Sequence, residues 1–339
     1  MTIKQVAEKA GVSVASVSNV VNGNYHKVSA ETRRKIERII EETGYTPNAM
    51  ARSLATQESR IISLVIPYIG EVFTFNYNPY YAELIAELEK YVRDRSYCLM
   101  IRCVERCGDI VSMLSSWNVD GVFFAGASAE DIRAVRRSLK CPAVFIDSYS
   151  EDAGVACVGI DDYRGGYLSA QHLLNNGHRN IAFAAPQFGT EGVIWQRYCG
   201  FCDACREKGV EIAPEDIFAV DTIESNSVVA GNDIAMSPKK YTAVGVMSDL
   251  SACGIIQGLR QCGRAVPDDI SVIGFDNLSL CSFSYPKLTT VSQDIRAKAC
   301  KAGDLLMRMI GNKEELTAFE KIPVKLVERD SVGKNKQNT

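Results

Sequence analysis

The strongest constraint on the fold is a repeated alternation of short apolar runs with helical patterns from residue 61 onward. Most of the runs are continuously apolar, which is typical of parallel strands that are covered on both faces. A surface strand would instead alternate apolar and polar residues. The predicted strands are 61–66, 97–103, 121–125, 143–147, 157–160, 180–184, 217–220, 242–247 and 271–275.

Helical stretches separate these runs, for example at 80–95, 164–176, 193–208 and 250–261. Serial strand–helix–strand order predicts a doubly wound α/β body, here two lobes of about five parallel strands each. In such folds a ligand binds beyond the carboxyl ends of the strands, so candidate site residues are sought where strands end.

The first 44 residues carry the marks of three short helices. Thr2 opens a capping box before the first helix, Gly11 permits a tight turn, and Ser13 caps a second helix over 14–21. A third helix is predicted over 30–43. This arrangement matches a DNA-binding helix-turn-helix, whose second helix enters the major groove. A generic three-helix bundle with polar caps fits the same pattern.

Small and polar side chains occupy the outward positions of the second helix. Hydroxyls and amides there can reach phosphates or base edges, and Val or Ala can meet a thymine methyl group. The candidate DNA contacts in and around this helix are Thr2, Ser13, Val14, Ala15, Ser16, Ser18, Asn19, Asn22 and His26.

The net charge of −3 hides an uneven distribution. Residues 1–60 carry nine Lys and Arg against six Glu, which gives +3. The other 279 residues carry 29 basic and 35 acidic side chains, which gives −6. A small basic segment beside a larger acidic one indicates a polyanionic partner for the basic segment.

The segments TIKQVAEKAGVSVASVSNVVNG, VSAETRRKI and TGYTPNAMARSL resemble the DNA-binding head and hinge of the lactose-repressor (LacI/GalR) family. The resemblance favours the helix-turn-helix over the generic bundle. It implies a hinge helix in which Leu54 enters the minor groove of the operator, with Asn48 and Arg52 flanking it. Asn19 stands where many members have an arginine that reads guanine, so a different operator half-site is expected.

The segments VDGVFFAG, HLLNNGHRNIAFAAP, ISVIGFDN and PKLTTVSQD resemble the core of the same family. The resemblance implies a core like that of periplasmic sugar-binding proteins, with lobe crossings near 160–163, 290–293 and 321–323. The predicted domains are a head, 1–46, a hinge and linker, 47–60, and a core, 61–339. The N-lobe would take 61–160 and 292–321, and the C-lobe 163–289 and 323–330.

Three charged residues at predicted strand or helix ends, Asp147, Arg197 and Asp276, match family positions that hold the effector. Carboxylates and a forked guanidinium suit the paired hydroxyls of a sugar. Asp249 also follows a strand, although it could instead cap the next helix. Aromatic side chains could stack on a ligand or belong to the core. The aromatic candidates are Phe73, Trp195 and Phe275, with Phe75, Tyr80 and Tyr81 also near strand ends.

No catalytic or nucleotide-binding motif is present: the chain lacks G-x-S-x-G, G-x-x-x-x-G-K-[ST] and G-x-G-x-x-G. The twelve cysteines are expected to be free thiols. Cys199, Cys202 and Cys205 have a spacing that iron–sulfur ligands can adopt, but no fourth cysteine is near. Packing along one side of a helix is favoured for them. No metal and no cofactor is expected.

We therefore predict a cytoplasmic, homodimeric transcription regulator, with a repressor favoured. Its partners would be pseudo-palindromic double-stranded operator DNA and a small effector, a sugar or sugar derivative. No membrane span or secretory signal is visible. One alternative is a periplasmic transport protein, which needs a signal peptide and leaves 1–56 unexplained. Another is an α/β enzyme using Asp147 and Asp276, which turnover of a candidate sugar would reveal.

Overall fold

The computed structural model describes residues 1–46, 58–67, 78–150, 152, 154–220, 224–312 and 316–336. The chain divides into two compact units, Met1–Arg60 and Ile61–Thr339. Five residues singled out in the sequence lie outside the described residues: Asn48, Arg52, Leu54, Phe73 and Phe75.

The first unit contains three helices, α1 (Ile3–Ala10), α2 (Val14–Val21) and α3 (Ala30–Thr43). The predicted capping box is present, because Thr2 and Gln5 exchange backbone–side-chain hydrogen bonds. Gly11 ends α1 in the left-handed region at φ 60°, a conformation that glycine adopts without strain. The small core of this unit is formed by Val6, Ala7, Ala10, Val17, Val20, Ile36 and Ile39.

The second unit is an α/β structure whose described strands form two six-stranded sheets. The strands are β1 (Ile61–Pro67), β2 (Cys98–Val104), β3 (Gly121–Ala125), β4 (Ala143–Ile146), β5 (Ala156–Ile160), β6 (Ile181–Ala185), β7 (Ile217–Ala219), β8 (Ala243–Val246), β9 (Ser271–Asp276), β10 (Thr289–Ser292), β11 (Ala318–Ile322) and β12 (Lys325–Val327). The helices are α4 (Pro79–Arg93), α5 (Val111–Ser116), α6 (Ala129–Arg136), α7 (Asp162–Asn175), α8 (Gly192–Arg206), α9 (Glu224–Met236), α10 (Asp249–Gln261), α11 (Leu280–Phe283) and α12 (Ile295–Asn312).

The N-lobe sheet has the order β11-β5-β4-β3-β1-β2, and the C-lobe sheet has the order β12-β10-β9-β8-β6-β7. All described pairings are parallel except that of β10 with β12. Strands β3, β5, β6, β8 and β9 are buried along their whole length, which explains their continuous apolar character. The predicted doubly wound α/β class is confirmed.

Along the described strands, the chain passes between the sheets three times, after β5, after β10 and after β11. The prediction of about five strands per lobe was too low, because segments assigned to crossings are strands. Strand β10 carries two buried threonines, and β11 alternates in burial at the edge of its sheet. Neither segment shows the continuous apolar run that identifies a buried strand.

None of the described helices is both long enough and apolar enough to cross a membrane.

Candidate functional site

The outer surface of α2 brings the predicted DNA-contacting side chains together. Ser13 caps α2 by accepting from the Ser16 backbone N–H at 3.1 Å. One turn later, the Asn22 amide donates to the Ser18 hydroxyl at 3.2 Å. Val14 is 41% exposed, and the other candidates on this unit are exposed or half-buried. The inward face of α2 is taken by core valines, so these side chains are the ones left accessible.

A contact that the sequence analysis did not predict orders the loop after α2. The Arg33 guanidinium lies 3.7 Å from the centre of the Tyr25 ring and pairs with Glu37 at 2.7 Å. This cation–π contact joins the turn that contains His26 to α3. His26, in the same turn, is exposed.

A cluster of polar side chains lies at the carboxyl ends of the core strands. Its first member is Asp147, immediately after β4. Asp147 adopts a left-handed backbone conformation, φ 53°. One carboxylate oxygen accepts from the Tyr80 hydroxyl, and the other lies 2.5 Å from the ammonium nitrogen of Lys298. The Lys298 side chain, from α12, is fully buried. Both oxygens of this candidate effector residue therefore have protein donors.

The same group continues into the C-lobe through Gln293, which follows β10. The Gln293 side-chain oxygen accepts from Lys298, and its nitrogen donates to Asp276 at 2.6 Å. Asp276 ends β9 and also has a positive φ, 118°. A non-glycine residue in this region is strained, and such residues concentrate at functional sites. One continuous chain of hydrogen bonds thus joins Asp147 of the N-lobe to Asp276 of the C-lobe.

Arg197 lies on α8 beside this chain of contacts. Its Nε donates to Asp162 at 2.7 Å, and its Nη1 donates to the Met247 carbonyl at 3.0 Å. Its guanidinium lies 3.7 Å from the centre of the Phe275 ring. The second oxygen of Asp162 accepts from Tyr149 at 2.6 Å. These contacts fix the plane of the guanidinium at the carboxyl ends of β8 and β9.

Two adjacent glycines on α7 allow Arg197 and Phe275 to lie close to this helix. A Cβ at Gly166 would lie 1.8 Å from the backbone oxygen of Arg197, and a Cβ at Gly165 would lie 2.6 Å from the Phe275 ring. Gly166 therefore lets α7 and α8 pack closely, and Gly165 makes room for the Phe275 ring of β9. The glycine pair sets the position of Arg197 against the C-lobe sheet.

Burial shifts the protonation of the acidic residues in this group. It raises the pKa of Asp276 to about 8, an effect that nearby Arg197 opposes and nearby Asp249 reinforces. Burial likewise raises the pKa of Asp249 to about 6 and raises that of Asp162 against the opposing pull of Arg197. Burial therefore favours the protonated form of Asp276, and these residues carry less negative charge than the number of their carboxyls suggests.

The other predicted effector residues within the described part of the chain are Phe275, Trp195 and Asp249, and their surroundings differ. Phe275 is buried beneath Arg197, whereas Trp195 is half-buried and its ring contacts Phe188 and Tyr198. Asp249 is buried, and it accepts from the Leu278 N–H at 2.8 Å and from the Thr290 hydroxyl at 2.6 Å. The alternative that Asp249 caps α10 is wrong, because the cap is Ser248. Asp249 instead supports the loop that follows Asp276.

Sequence reasoning missed four members of the network: Lys298, Gln293, Asp162 and Tyr149. Lys298 had a detectable signal, since it lies on the face of α12 that also carries Ile295, Ala302 and Leu305. A lysine on the apolar face of a helix is unusual and points to a buried partner. The only sequence signal for Asp162, Tyr149 and Gln293 is their position near strand ends, and many other residues share it.

No group of His, Cys, Asp and Glu suited to a metal ion occurs among the described residues. Cys199, Cys202 and Cys205 lie along α8, with Cys205 buried. Burial raises the pKa of each of the three thiols. This environment keeps the thiols protonated, which suits packing better than metal ligation.

A helix-turn-helix unit followed by a two-lobed α/β core with a polar group at the strand ends defines a class, the DNA-binding regulators with a ligand-binding core. Family models match the two parts: bacterial regulatory proteins of the lacI family over residues 2–48, and a periplasmic binding protein-like domain over 170–332. Relatives that are 31–34% identical match this chain over 97–98% of its length, so the chain belongs to the lacI family and is a DNA-binding transcription regulator.

Relatives match this chain over nearly its whole length. The regulator DegA of Bacillus subtilis is 34% identical over 98% of each chain. RegA of Clostridium saccharobutylicum is 32% identical over 97% of this chain and 98% of that protein. The repressor PurR of Vibrio campbellii is 31% identical over 98% of this chain and 99% of its own. Because these transcription regulators match the chain over nearly its whole length, the alternative of a periplasmic transport protein is disfavoured.

Solved structures of lacI-family regulators have a fold similar to that of this chain. The Lac repressor dimer bound to operator and the anti-inducer ONPF has a TM-score of 0.86 at 26% identity, covering 98% of this chain and 99% of that one. A lacI-family regulator from Enterococcus faecium with bound ribose has a TM-score of 0.71 at 25% identity, covering 81% of this chain and 100% of that one.

Proposed function

We propose that this protein is a homodimeric repressor whose affinity for its operator is set by a sugar or sugar derivative. The sugar would bind at the carboxyl ends of the core strands, against Asp147, Arg197 and Asp276. The observation that carries the proposal is the hydrogen-bonded chain from Asp147 through Lys298 and Gln293 to Asp276. Its members are polar groups of a kind that can bind hydroxyls, and they lie on both lobes and on the segment that connects them, which supports the proposal.

The chemistry of these groups suits a polyhydroxylated ligand. Carboxylates accept from paired hydroxyls, and the Arg197 guanidinium offers directed donors beside the apolar Phe275 ring. The relative from Enterococcus faecium, solved with ribose, supports a sugar as the class of ligand. A ligand that touches both lobes binds some lobe arrangements better than others, and this difference shifts the population of DNA-binding states.

The DNA would be read by the first unit. The α2 candidates with Thr2 and His26 would contact the operator, and the hinge residues Asn48, Arg52 and Leu54 would add minor-groove contacts. We assign 1–46 to the head, 47–60 to the hinge, and 61–339 to the core. Within the core, 61–160 with 292–321 is the N-lobe and 163–289 with 323–330 is the C-lobe. The basic charge of the first unit supports a DNA partner.

Exposed aromatics in the C-lobe support a homodimer. Phe283 is 86% exposed and Tyr285 is 81% exposed, close together at the end of α11. Large exposed apolar side chains that cluster mark interaction surfaces. A twofold dimer would present two heads to the two halves of a pseudo-palindrome. The Lac repressor structure, solved as a dimer on its operator, supports the same arrangement.

We assign no enzymatic activity to the core and place the protein in the cytoplasm, where the chromosome is. Its relatives are transcription regulators, and regulation requires binding of the sugar without chemical change. Incubation with each sugar that binds, followed by analysis for products, tests this assignment. Turnover of a sugar at the rate of an enzyme would reject it.

Genome-wide mapping of the bound DNA identifies the operator, and titration of that duplex with the protein then measures affinity. We expect one class of sugars to change the dissociation constant at least tenfold. A sedimentation measurement should give a dimer, and a Tyr285→Lys variant should shift it toward monomer. A monomeric wild-type protein, or an operator affinity that no sugar changes, would contradict the proposal.

A further inference from the structure

Helix α2 carries no charged side chain, although the first unit as a whole is basic. Its sequence, VASVSNVV, contains neither lysine nor arginine. The commonest specific contact between a protein and a base is the bidentate bond from arginine or lysine to guanine. Because α2 cannot make this contact, the bases that it meets must be recognised by amide, hydroxyl or methyl groups.

The hydroxyl groups of α2 and of its cap are already engaged with neighbouring residues. The Ser13 hydroxyl accepts from the Ser16 backbone N–H at 3.1 Å and lies 3.0 Å from the Ser16 hydroxyl. The Ser18 hydroxyl accepts from the Asn22 amide at 3.2 Å. Serine can also bond to more than one kind of base, so these hydroxyls discriminate weakly between base pairs.

Asn19 offers the side-chain amide of α2 that is not bonded in this way. The Asn19 side chain is half-buried and forms no hydrogen bond with the residues that the structure describes, whereas the Asn22 amide is bonded to Ser18. An asparagine side chain matches adenine in the major groove, because its oxygen accepts from N6 and its nitrogen donates to N7. Asn19 is therefore the residue of α2 best suited to read a base by hydrogen bonds.

Methyl groups are the remaining contacts that α2 can offer to a base. Val14 and Ala15 are exposed in the first turn of the helix, and the first residues of a recognition helix are those that reach base edges. Valine and alanine side chains pack against the methyl group of thymine, which the other bases lack.

We propose that α2 reads A·T base pairs in each half of the operator, an adenine through Asn19 and thymine methyl groups through Val14 and Ala15. This inference rests on the proposed function and specifies the DNA that the first unit selects. The lysines and arginines of this unit then contact phosphates, which position the helix without regard to sequence. Arg33, for example, lies on α3 and is held by Tyr25 and Glu37.

The first test selects duplexes that bind the full-length protein from a library with a randomised centre. We expect A·T pairs at neighbouring positions of each half-site. Asn19→Ala should relax the preference at one adenine, and Asn19→Arg should change that adenine to guanine, which arginine reads in the same bidentate way. Asn24→Ala is the matched control, because Asn24 follows α2 and its side chain does not cap the next turn. It should leave the preferred bases unchanged.

Modified bases in the selected duplex test each contact separately. At the adenine assigned to Asn19, 7-deazaadenine removes the N7 acceptor but keeps the base pair, and it should weaken wild-type binding about fivefold. It should have little effect on Asn19→Ala, which has already lost the contact. Uracil in place of a contacted thymine removes only the methyl group and should weaken binding about fourfold.

Several results would overturn the proposal. These are a wild-type half-site made of G·C pairs, base preferences that both Asn19 variants leave unchanged, equal losses on 7-deazaadenine for the wild type and Asn19→Ala, and no loss on uracil at any thymine. Alanine suits an outward position of a helix, so Asn19→Ala is expected to fold, which circular dichroism checks. A reproducible G·C half-site rejects only this inference, whereas recovery of no preferred sequence rejects the proposed reading of an operator by the first unit.

Discussion

Gln293 bonds to Asp276 at 2.6 Å across the segment that connects the two lobes, and its other amide atom accepts from Lys298. Because Gln293 lies between β10 of the C-lobe and α12 of the N-lobe, we expect a change in lobe geometry to alter this pair of bonds. Gln293 is therefore placed to transmit ligand binding from one lobe to the other.

Replacing Gln293 with Ala should weaken the coupling between sugar and DNA more than it weakens either affinity alone. Allosteric coupling of this kind commonly amounts to about 1–3 kcal/mol. The measurement is the operator dissociation constant with and without saturating sugar, for Gln293→Ala and for Gln261→Ala, an exposed control at the end of α10. Full coupling in the Gln293 variant would remove this residue from the transmission.

Gly166 should not tolerate even one added methyl group. Gly166→Ala places a Cβ 1.8 Å from a backbone oxygen, so α7 and α8 must separate, at a cost of about 1–3 kcal/mol or more. Gly189→Ala is the control, since a Cβ there meets nothing within 4 Å. Urea denaturation of both variants measures the difference. Equal stability would show that the helices are less closely packed than described.

The raised pKa of Asp276 predicts how stability depends on pH. Burial lifts this pKa from 3.8 to about 8, so between these values the folded protein holds a proton that the unfolded chain has released. The contribution of Asp276 to the free energy of unfolding is therefore largest at low pH and falls as the pH rises toward 8. Its greatest slope is about 1.4 kcal/mol per pH unit.

Asp276→Asn keeps the size of the side chain but cannot titrate. Chemical denaturation between pH 5 and 8 should therefore give a shallower decline for the variant than for the wild type. Titrating groups that do not interact with Asp276 cancel in this comparison, because they are common to both proteins. Parallel pH profiles would contradict the shifted pKa.

Leu54 is predicted to act through the minor groove, by resemblance to the family. Leu54→Ala should lose much more affinity for the mapped operator than for unrelated DNA, because only the specific complex needs a kinked base step. Binding of both DNAs should weaken steeply with salt as counterions are released from the phosphates. Equal losses on the two DNAs would reject the minor-groove role.

The sequence predicted the secondary structure well where one physical signal dominated. The caps Thr2 and Ser13 and the left-handed Gly11 defined the first helices because capping is local. The buried strands with a continuous apolar run were visible from their composition, whereas buried β10, with its two threonines, was not. Strand β11 was not, since an edge strand alternates in burial and looks like a loop.

The candidate site was only partly predictable. Asp147 and Asp276 were found because they end strands, a position that the fold rule singles out. Lys298 reaches the same site from α12, a distant part of the chain, and the sequence alone does not show which side chains meet there. Tertiary contacts, such as the 2.5 Å pair of Lys298 with Asp147, are properties of the packed lobes.

Arg197 tests the central claim that a ligand in the core controls the head. Arg197→Lys keeps the charge, so Asp162 retains a cationic partner, but it loses the forked contacts and the full stacking on Phe275. The measurement is fluorescence anisotropy of the mapped operator, with and without the effector. We predict a shift of tenfold or more for the wild type, about 1.4 kcal/mol, and little or no shift for a variant that still binds the operator. The same shift in both proteins would contradict the account.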